Sequence, residues 1–266
     1  MKKWQIGGTI AALMLAVIGI VGASLAGSPA APPPNSRVVA NGPIVSANPD
    51  WRPPGAPDHQ PPVPLAPALP APTGPVLFSA DFKSSDTGAW QSSILNNTDQ
   101  PAVWLAHDGL LQIMGDVNGD DPLEEATFRT GDKNWQNVTI DADILAASGE
   151  GAGLIWNAGA AGYYRLQLYP DIPNPAAKAS LELVQNVRAT KLAETPAAAY
   201  IGYQPYVWQQ VRVTSTAGRQ EVWVNGVKLF DVQNAVLTSG QVGLFAWADS
   251  KTSFDNVRVQ SALAQR

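Results

Sequence analysis

The chain has 266 residues, a net charge of −5 and no cysteine. This acidic balance gives no electrostatic case for nucleic-acid binding, so no nucleic-acid partner is predicted. The lack of cysteine excludes disulfides, thiolate metal sites and cysteine nucleophiles.

Residues 1–27 combine a positive start with an apolar run that we predict to be helical. Lys2 and Lys3 precede an uncharged stretch from Ile6 to Gly27. The small residues of the segment Ser24-Leu-Ala26 suit a signal peptide that is cleaved after Ala26. The length equally suits an uncleaved anchor, because about 20 apolar residues span a bilayer. A buried helix of a soluble domain is a third alternative. The first two alternatives place the rest of the chain outside the cytoplasm, either secreted or anchored to the membrane.

Residues 28–75 form a proline-rich linker, which holds 16 of the 23 prolines. Proline fixes φ and lacks a backbone donor, so neither helix nor sheet is expected there. We expect a disordered, semi-rigid polyproline II stalk that holds the next domain away from a membrane. The alternative is a leader with no spacing role.

Residues 76–260 carry the signals of an all-β domain, and residues 261–266 form a short tail. Apolar and polar residues alternate with period two, and Gly and Asn mark the turns, as in the hairpin turn Asn225–Gly226. We find no long run of helical periodicity. The predicted strands are Val76–Phe82, Val103–His107, Leu110–Gly115, Ala126–Thr130, Val138–Ala146, Gly153–Asn157, Tyr163–Tyr169, Ser180–Asn186, Val207–Thr214, Arg219–Asn225, Val227–Val232, Gln241–Trp247 and Ser253–Gln260. Many short strands without helices predict a two-sheet antiparallel sandwich.

Four segments of this region resemble concanavalin A-like jelly rolls. They are LFSADFKSSDTGAW from Leu77, GAGLIWNAGAAGYYRLQL from Gly151, VWQQVRVTSTAGRQEVWVNG from Val207 and GQVGLFAWADSKTSFDNVRV from Gly240. The region is similar to laminin-G-like modules and to bacterial domains of the 3-keto-disaccharide hydrolase type. The resemblance implies two antiparallel sheets, one of them concave, and glycans as a common ligand.

The resemblance does not supply a catalytic set. Laminarinase-type hydrolases of this fold use a Glu-x-Asp-x-x-Glu strand, and the nearest match begins at Asp141 and ends at Ala146, which cannot donate a proton. The 3-keto-disaccharide group shows an acidic residue after the Tyr of its Gly-Tyr motif, where this chain has Tyr164. We therefore predict no catalytic residues, and a glycoside-processing enzyme remains an alternative.

Polar side chains opposite the apolar ones predict a ligand-binding face. If their strands are neighbours, one outer sheet face carries carboxylates, an amide, a guanidinium and two phenols, which is the mixture that sugars need. The alternative is an ordinary polar sheet face. The predicted ligand-binding residues are Asp141, Asp143, Tyr163, Arg165, Gln167 and Glu182. Trp223 and Trp247 also lie opposite apolar neighbours, and for both we favour structural packing over an exposed platform.

Asp81 near the first strand and Asp255 in the last strand suggest a structural calcium site. The resemblance implies that such a pair can share one ion, and calcium takes hard oxygen ligands. The alternative is that each Asp caps a turn. The segment Asp116–Asp121 starts like an EF-hand loop but lacks its Gly and its bidentate Glu, so we interpret it as a turn.

The sequence thus favours an exported, membrane-tethered β-sandwich module that binds glycan or another cell-surface component. A glycoside-processing enzyme of the same fold and a structural adhesion domain are the two alternatives. An enzyme would require two facing carboxylates in a cleft, whereas an adhesion domain would present a flat face with apolar patches.

Overall fold

A computed structural model describes residues 69, 72, 74–95, 102–114, 125–145, 151–169, 179–195, 207–247 and 252–262. The expected N-terminal helix, nearly all of the proline-rich linker and the Asp116–Asp121 loop lie outside these residues. Among the described residues, no helix has both the length and the apolar character needed to span a bilayer.

The described part is all β. Its fifteen strands are β1 (Val76–Ala80), β2 (Trp90–Leu95), β3 (Val103–His107), β4 (Leu110–Met114), β5 (Glu125–Thr130), β6 (Val138–Leu145), β7 (Gly151–Gly159), β8 (Gly162–Leu168), β9 (Ala179–Gln185), β10 (Arg188–Glu194), β11 (Gln209–Thr216), β12 (Arg219–Val224), β13 (Val227–Gln233), β14 (Gln241–Trp247) and β15 (Ser253–Ser261).

These strands form two antiparallel sheets. Sheet A has the order β13-β12-β11-β6-β15-β4-β3, with β1 also paired to β15, and sheet B has the order β10-β9-β8-β7-β14-β5-β2. The predicted meander around Asn225 is present as β11, β12 and β13. The predicted two-sheet antiparallel sandwich is confirmed.

The core lies between the inner faces of the two sheets. Period-two alternation supplies it, as in β6, where Ile140 and Ile144 are buried in the core and Asp141 is not. Stacked rings extend the core across both sheets, since Phe128 of β5 stacks on Trp104 of β3 at 5.1 Å. The buried indole of Trp156 donates a 2.7 Å hydrogen bond to Gln220.

The sequence analysis did not predict two strands of sheet B. The strand β10 forms one edge of the sheet and β2 forms the other. Most of β10 is exposed, and β2 buries only Trp90 and Ile94. Edge strands bury little apolar surface, so the period-two pattern in their sequence is weak.

The sequence predicted the hairpin turn between β12 and β13 correctly. Asn225 and Gly226 have positive φ angles of 50° and 78°, as the predicted hairpin requires.

Candidate functional site

The outer face of sheet B carries a group of buried polar side chains that the core does not use. On β8 the residues Tyr164, Leu166 and Leu168 enter the core. Alternation therefore sends the intervening side chains to the opposite face. That face of β8 carries Tyr163, Arg165 and Gln167, and Tyr169 continues the alternation one residue beyond the strand.

Strand pairing completes this outer face. Glu182 and Ser180 of β9 lie opposite Arg165 and Gln167 of β8. Across the sheet, Trp247 of β14 lies opposite Glu125 of β5. We call the outer-face side chains of Glu125, Arg165, Gln167, Tyr169, Glu182 and Trp247 the sheet B site.

Arg165 is the centre of the sheet B site. Its Nη1 donates to Oε2 of Glu125, and its Nη2 and Nε donate to Oε2 of Glu182, the Nε bond being 3.0 Å long. The Ser180 hydroxyl donates to the other oxygen of Glu182 at 2.9 Å. The guanidinium carbon lies 4.9 Å from the ring centre of Phe245. The side chains of Arg165, Glu125 and Glu182 are only 2%, 0% and 7% exposed.

Burial dominates the electrostatics of this cluster. Removal from water raises the pKa of Glu125, which Arg165 only partly offsets, and the nearby Glu182 raises it further. Burial opposes the charge of Arg165 as well, but its two carboxylate partners raise its pKa. The site therefore contains a permanently charged guanidinium and a carboxyl group that holds its proton more tightly than usual.

Glycine makes room for this arrangement on β7. A Cβ added to Gly151 would lie 2.5 Å from Nε2 of Gln167. Because real Cβ atoms do not approach side-chain nitrogens so closely, the missing side chain leaves space for the Gln167 amide. The sequence of β7 thus opens the middle of the outer face to the long side chains of β8.

Two aromatic residues flank the charged cluster. The rings of Tyr169 and Trp247 meet edge to face, with centroids 6.2 Å apart and an interplanar angle of 76°. Both residues are half-buried. Burial raises the pKa of Tyr169 to about 12, and the charge of Glu182 adds to this rise. An aromatic pair beside buried polar groups can offer both ring surface and hydrogen bonds to a ligand.

The β-sandwich region of the chain matches a known protein family. A family model described as the 3-keto-alpha-glucoside-1,2-lyase-like domain matches residues 77–260, more than half of the chain. The chain belongs to the 3-keto-alpha-glucoside-1,2-lyase-like domain family. No curated protein matches this chain.

Solved structures share the fold of this family member at low sequence identity. A Bacillus subtilis protein with a galectin-like fold has a TM-score of 0.56 and 12% identity, over 72% of this chain and 98% of that chain. The carbohydrate-binding module CBM66 from Bacillus subtilis has a TM-score of 0.50 and 18% identity, over 65% and 96% of the two chains. LamA of Z. galactanivorans, in complex with laminaritriose and laminaritetraose, has a TM-score of 0.50 and 12% identity, over 71% and 100%.

The predicted ligand-binding residues of this family member lie on two different sheets. Tyr163, Arg165, Gln167 and Glu182 share the outer face of sheet B, as expected. Asp141 and Asp143 belong to β6, which lies in sheet A between β11 and β15. The hypothesis that all six side chains share one face is therefore wrong, because alternation along a strand fixes its inner and outer sides but not its sheet.

The outer face of sheet A offers little room beside Asp141. Its carboxylate accepts hydrogen bonds of 2.5 and 3.2 Å from Arg212. The cavity next to this pair is about 10 Å³ in volume and is lined by Leu69, Asp141, Gln210, Arg212, Trp223 and Gly226. Such a cavity holds about one water molecule. Asp143, the other predicted carboxylate of β6, accepts a 2.8 Å bond from Asn256.

The predicted calcium pair has partners within the protein. Asp81 accepts a 2.8 Å hydrogen bond from the ammonium of Lys83, and this bond lowers its pKa. Asp255 is buried and accepts a 2.6 Å bond from the backbone of Asn256. Within the described ranges, no group of three or more His, Cys, Asp or Glu side chains is arranged to hold a metal ion. Calcium binding by Asp81 and Asp255 stays a prediction.

The sequence analysis did not predict Glu125 or Tyr169 as ligand-binding residues, and it favoured structural packing for Trp247. The predicted strand began at Ala126, one residue too late. The alternation of Thr127 and Arg129 with the buried Ala126 and Phe128 would have extended the outer face back to Glu125. Trp247 was placed on the correct side of β14, opposite the core residue Leu244.

Proposed function

We propose that this chain is an exported glycan-binding module whose ligand contacts the sheet B site. The observation that carries the proposal is the buried Arg165–Glu125–Glu182 cluster beside the Trp247–Tyr169 pair on an outer sheet face. Buried charges are costly to maintain, and such clusters occur preferentially where a protein binds or reacts with something.

The chemistry of the site suits a sugar. Carboxylate, amide and guanidinium groups can pair with hydroxyl groups, while an aromatic ring covers the C–H face of a pyranose. In the sheet B site the planar polar groups are Glu125, Arg165, Gln167 and Glu182. The half-buried rings of Trp247 and Tyr169 give a ligand access to one end of the cluster.

Family membership and fold likeness support this interpretation. The family is described by an activity on a glucoside, and the printed name of one structural relative describes a carbohydrate-binding module. For this chain, a glycan ligand follows from these names only by analogy. The geometry of the sheet B site supplies the independent physical support.

The test is glycan retention on an array of neutral and acidic oligosaccharides, with matched tryptophan variants. Trp247→Ala removes a ring from the sheet B site, and Trp223→Ala removes a half-buried ring from the outer face of sheet A. We expect the wild type and Trp223→Ala to retain the same glycans and Trp247→Ala to lose them. If the wild type retains no glycan, or if both variants retain them equally, the proposed site is wrong.

Export and tethering form a separate part of the proposal. An apolar stretch in residues 1–27 follows two lysines, and proline-rich residues 28–75 lie before the domain. Fractionation of cells that produce the full chain, followed by protease treatment of intact cells or spheroplasts, tests it. In the full chain, we expect the protease to reach the β-sandwich outside the cytoplasm. When residues 1–27 are deleted, we expect the β-sandwich in the soluble fraction instead of the membrane fraction. A β-sandwich protected in the cytoplasm of the full-length producer would contradict the proposal.

A second candidate function, glycoside cleavage, is favoured by Glu125. Burial raises its pKa, and a carboxyl group that holds a proton more tightly than usual is a candidate for proton transfer to and from a substrate. In a 1,2-elimination from a 3-keto-glucoside, Glu125 would take the proton from C2 while the C1–O bond breaks. The electrons of the C2–H bond form the C1=C2 double bond, and the departing oxygen leaves with the electron pair of the C1–O bond and takes the proton that Glu125 removed from C2.

Incubation with methyl 3-keto-α-D-glucopyranoside tests this second candidate. Release of methanol and of the unsaturated ketosugar by the wild type, but not by Glu125→Gln, would support it. Binding of the 3-ketoglucoside without product release would restrict the protein to the binding function.

A further inference from the structure

Two buried polar atoms of the sheet B site have no hydrogen-bond partner among the described residues. They are Oε1 of Glu125 and Nε1 of Trp247. The two residues lie directly opposite each other on β5 and β14, where side chains of paired residues start about 4.5–5.5 Å apart. They do not bond to each other, although one is an acceptor and the other a donor.

Both groups are held in place by a neighbour. Arg165 binds Oε2 of Glu125, which leaves Oε1 as the unoccupied oxygen of the carboxylate. Tyr169 packs edge to face against the indole of Trp247 with ring centres 6.2 Å apart. A donor and an acceptor that are fixed side by side, buried and unpaired can bind a ligand atom without reorganising.

We propose that Glu125 Oε1 and Trp247 Nε1 together bind one hydroxyl group of a neutral sugar. The hydroxyl donates its hydrogen to the carboxylate oxygen and accepts the indole N–H, so one ligand group satisfies both atoms. This inference rests on the proposed glycan-binding function and adds the ligand class and the two residues that select it.

The groups around the pair favour a neutral sugar over an acidic one at this position. The guanidinium of Arg165 is already shared between two carboxylates, Glu125 and Glu182. Arg129, another cation near Glu125, donates to Thr127 at 3.2 Å and lies 6.0 Å from the ring centre of Tyr163. A uronic acid carboxylate has no hydrogen to donate to Oε1 of Glu125, and both nearby guanidinium groups are already engaged.

The experiment measures the affinity of the full chain for laminaritriose, cellotriose and maltotriose and for a matched glucuronic-acid trisaccharide. Trp247→Phe keeps an aromatic ring but removes the N–H, and Trp223→Phe makes the same change on sheet A. We expect the best neutral probe to bind Trp247→Phe about tenfold more weakly than it binds wild type, because one hydrogen bond is lost. Trp223→Phe should bind like wild type.

Deoxy analogues of the best neutral probe give a second measurement that does not depend on the stability of a variant. One deoxy position should weaken binding to wild type more than it weakens binding to Trp247→Phe, because the variant has already lost one of the two hydrogen bonds to that hydroxyl. Equal losses in the two proteins at every deoxy position would overturn the inference.

The outcomes separate the inference from the function on which it rests. Neutral-glycan binding that is unaffected by Trp247→Phe overturns the inference and leaves the glycan-binding function standing. Tighter binding of the glucuronic-acid probe overturns the ligand class. No binding of any probe overturns both.

Discussion

The side chain of Arg165 on β8 reaches across β7 and β14 to bind Glu125 on β5. The outer strands of this group lie about 14 Å apart, since neighbouring strands are about 4.7–4.9 Å apart. The ion pair therefore ties four central strands of sheet B together on their outer side. The same contact holds the carboxylate that we propose as a ligand group.

Removal of the central cation should destabilise the fold. Arg165→Met leaves Glu125 and Glu182 buried without their partner, and breaking a buried ion pair in this way costs about 3–5 kcal/mol. The matched control is Arg212→Met, which breaks the more exposed pair with Asp141 and should cost about 1 kcal/mol or less. Urea unfolding followed by circular dichroism measures both free energies of unfolding. Equal losses in the two variants would show that the Arg165 cluster is not a buried ion network.

Two glycines on the outer face of β7 should differ in their tolerance of alanine. A Cβ at Gly153 would lie 1.9 Å from the backbone oxygen of Leu166, whereas a Cβ at Gly151 would meet the movable end of Gln167 at 2.5 Å. We expect Gly153→Ala to cost about 3 kcal/mol and Gly151→Ala about 1 kcal/mol, in the range of overpacked sites. Chemical denaturation of both variants tests the order, and a larger loss in Gly151→Ala would contradict it.

The raised pKa of Glu125 predicts a specific pH dependence of stability. The native protein holds this proton more tightly than the unfolded chain, in which glutamate titrates at about 4.3. The favourable contribution is therefore complete below that pH and is lost as pH rises through the native pKa. Arg165, Arg129 and Glu182 face the carboxyl group and remain in Glu125→Gln.

The free energy of unfolding, measured between pH 4 and pH 8, should fall more steeply with pH in the wild type than in Glu125→Gln. Because the variant cannot titrate at this position, the difference between the two curves isolates Glu125. Parallel curves would show that the carboxyl group has an ordinary pKa.

Tyr169 should ionise at a higher pH than an exposed tyrosine does. Burial and the charge of Glu182 raise its pKa to about 12, compared with about 10 for a free tyrosine. Absorbance titration of tyrosinate in the folded protein should show a high-pH transition that disappears in Tyr169→Phe. If Tyr169→Phe instead removes a transition near pH 10, the ring is more exposed than the structure shows.

Alternation predicted the inner and outer sides of individual strands well. Tyr163, Arg165 and Gln167 were placed on the outer face of their strand, as the structure has them, and the alternating Tyr164 and Leu166 lie in the core. Period two is a local property of the backbone, so a single strand is sufficient to show it.

The sequence could not predict which strands become neighbours. Asp141 and Arg165 were assigned to a shared face, but their strands lie in different sheets because pairing depends on contacts between distant parts of the chain. The unpartnered atoms of Glu125 and Trp247 depend on the same pairing of β5 with β14. Only the folded arrangement shows that this donor and acceptor stand side by side.

The most direct test of a glycan site on sheet B is a ¹⁵N NMR titration of the full chain with the best-retained neutral oligosaccharide. The indole N–H signals of Trp247 and Trp223 report on the outer faces of sheets B and A, respectively. We expect the Trp247 indole and the Gln167 side-chain amide to shift on binding while the Trp223 indole stays unchanged. Shifts confined to Trp223 and its neighbours on sheet A would contradict the proposed site.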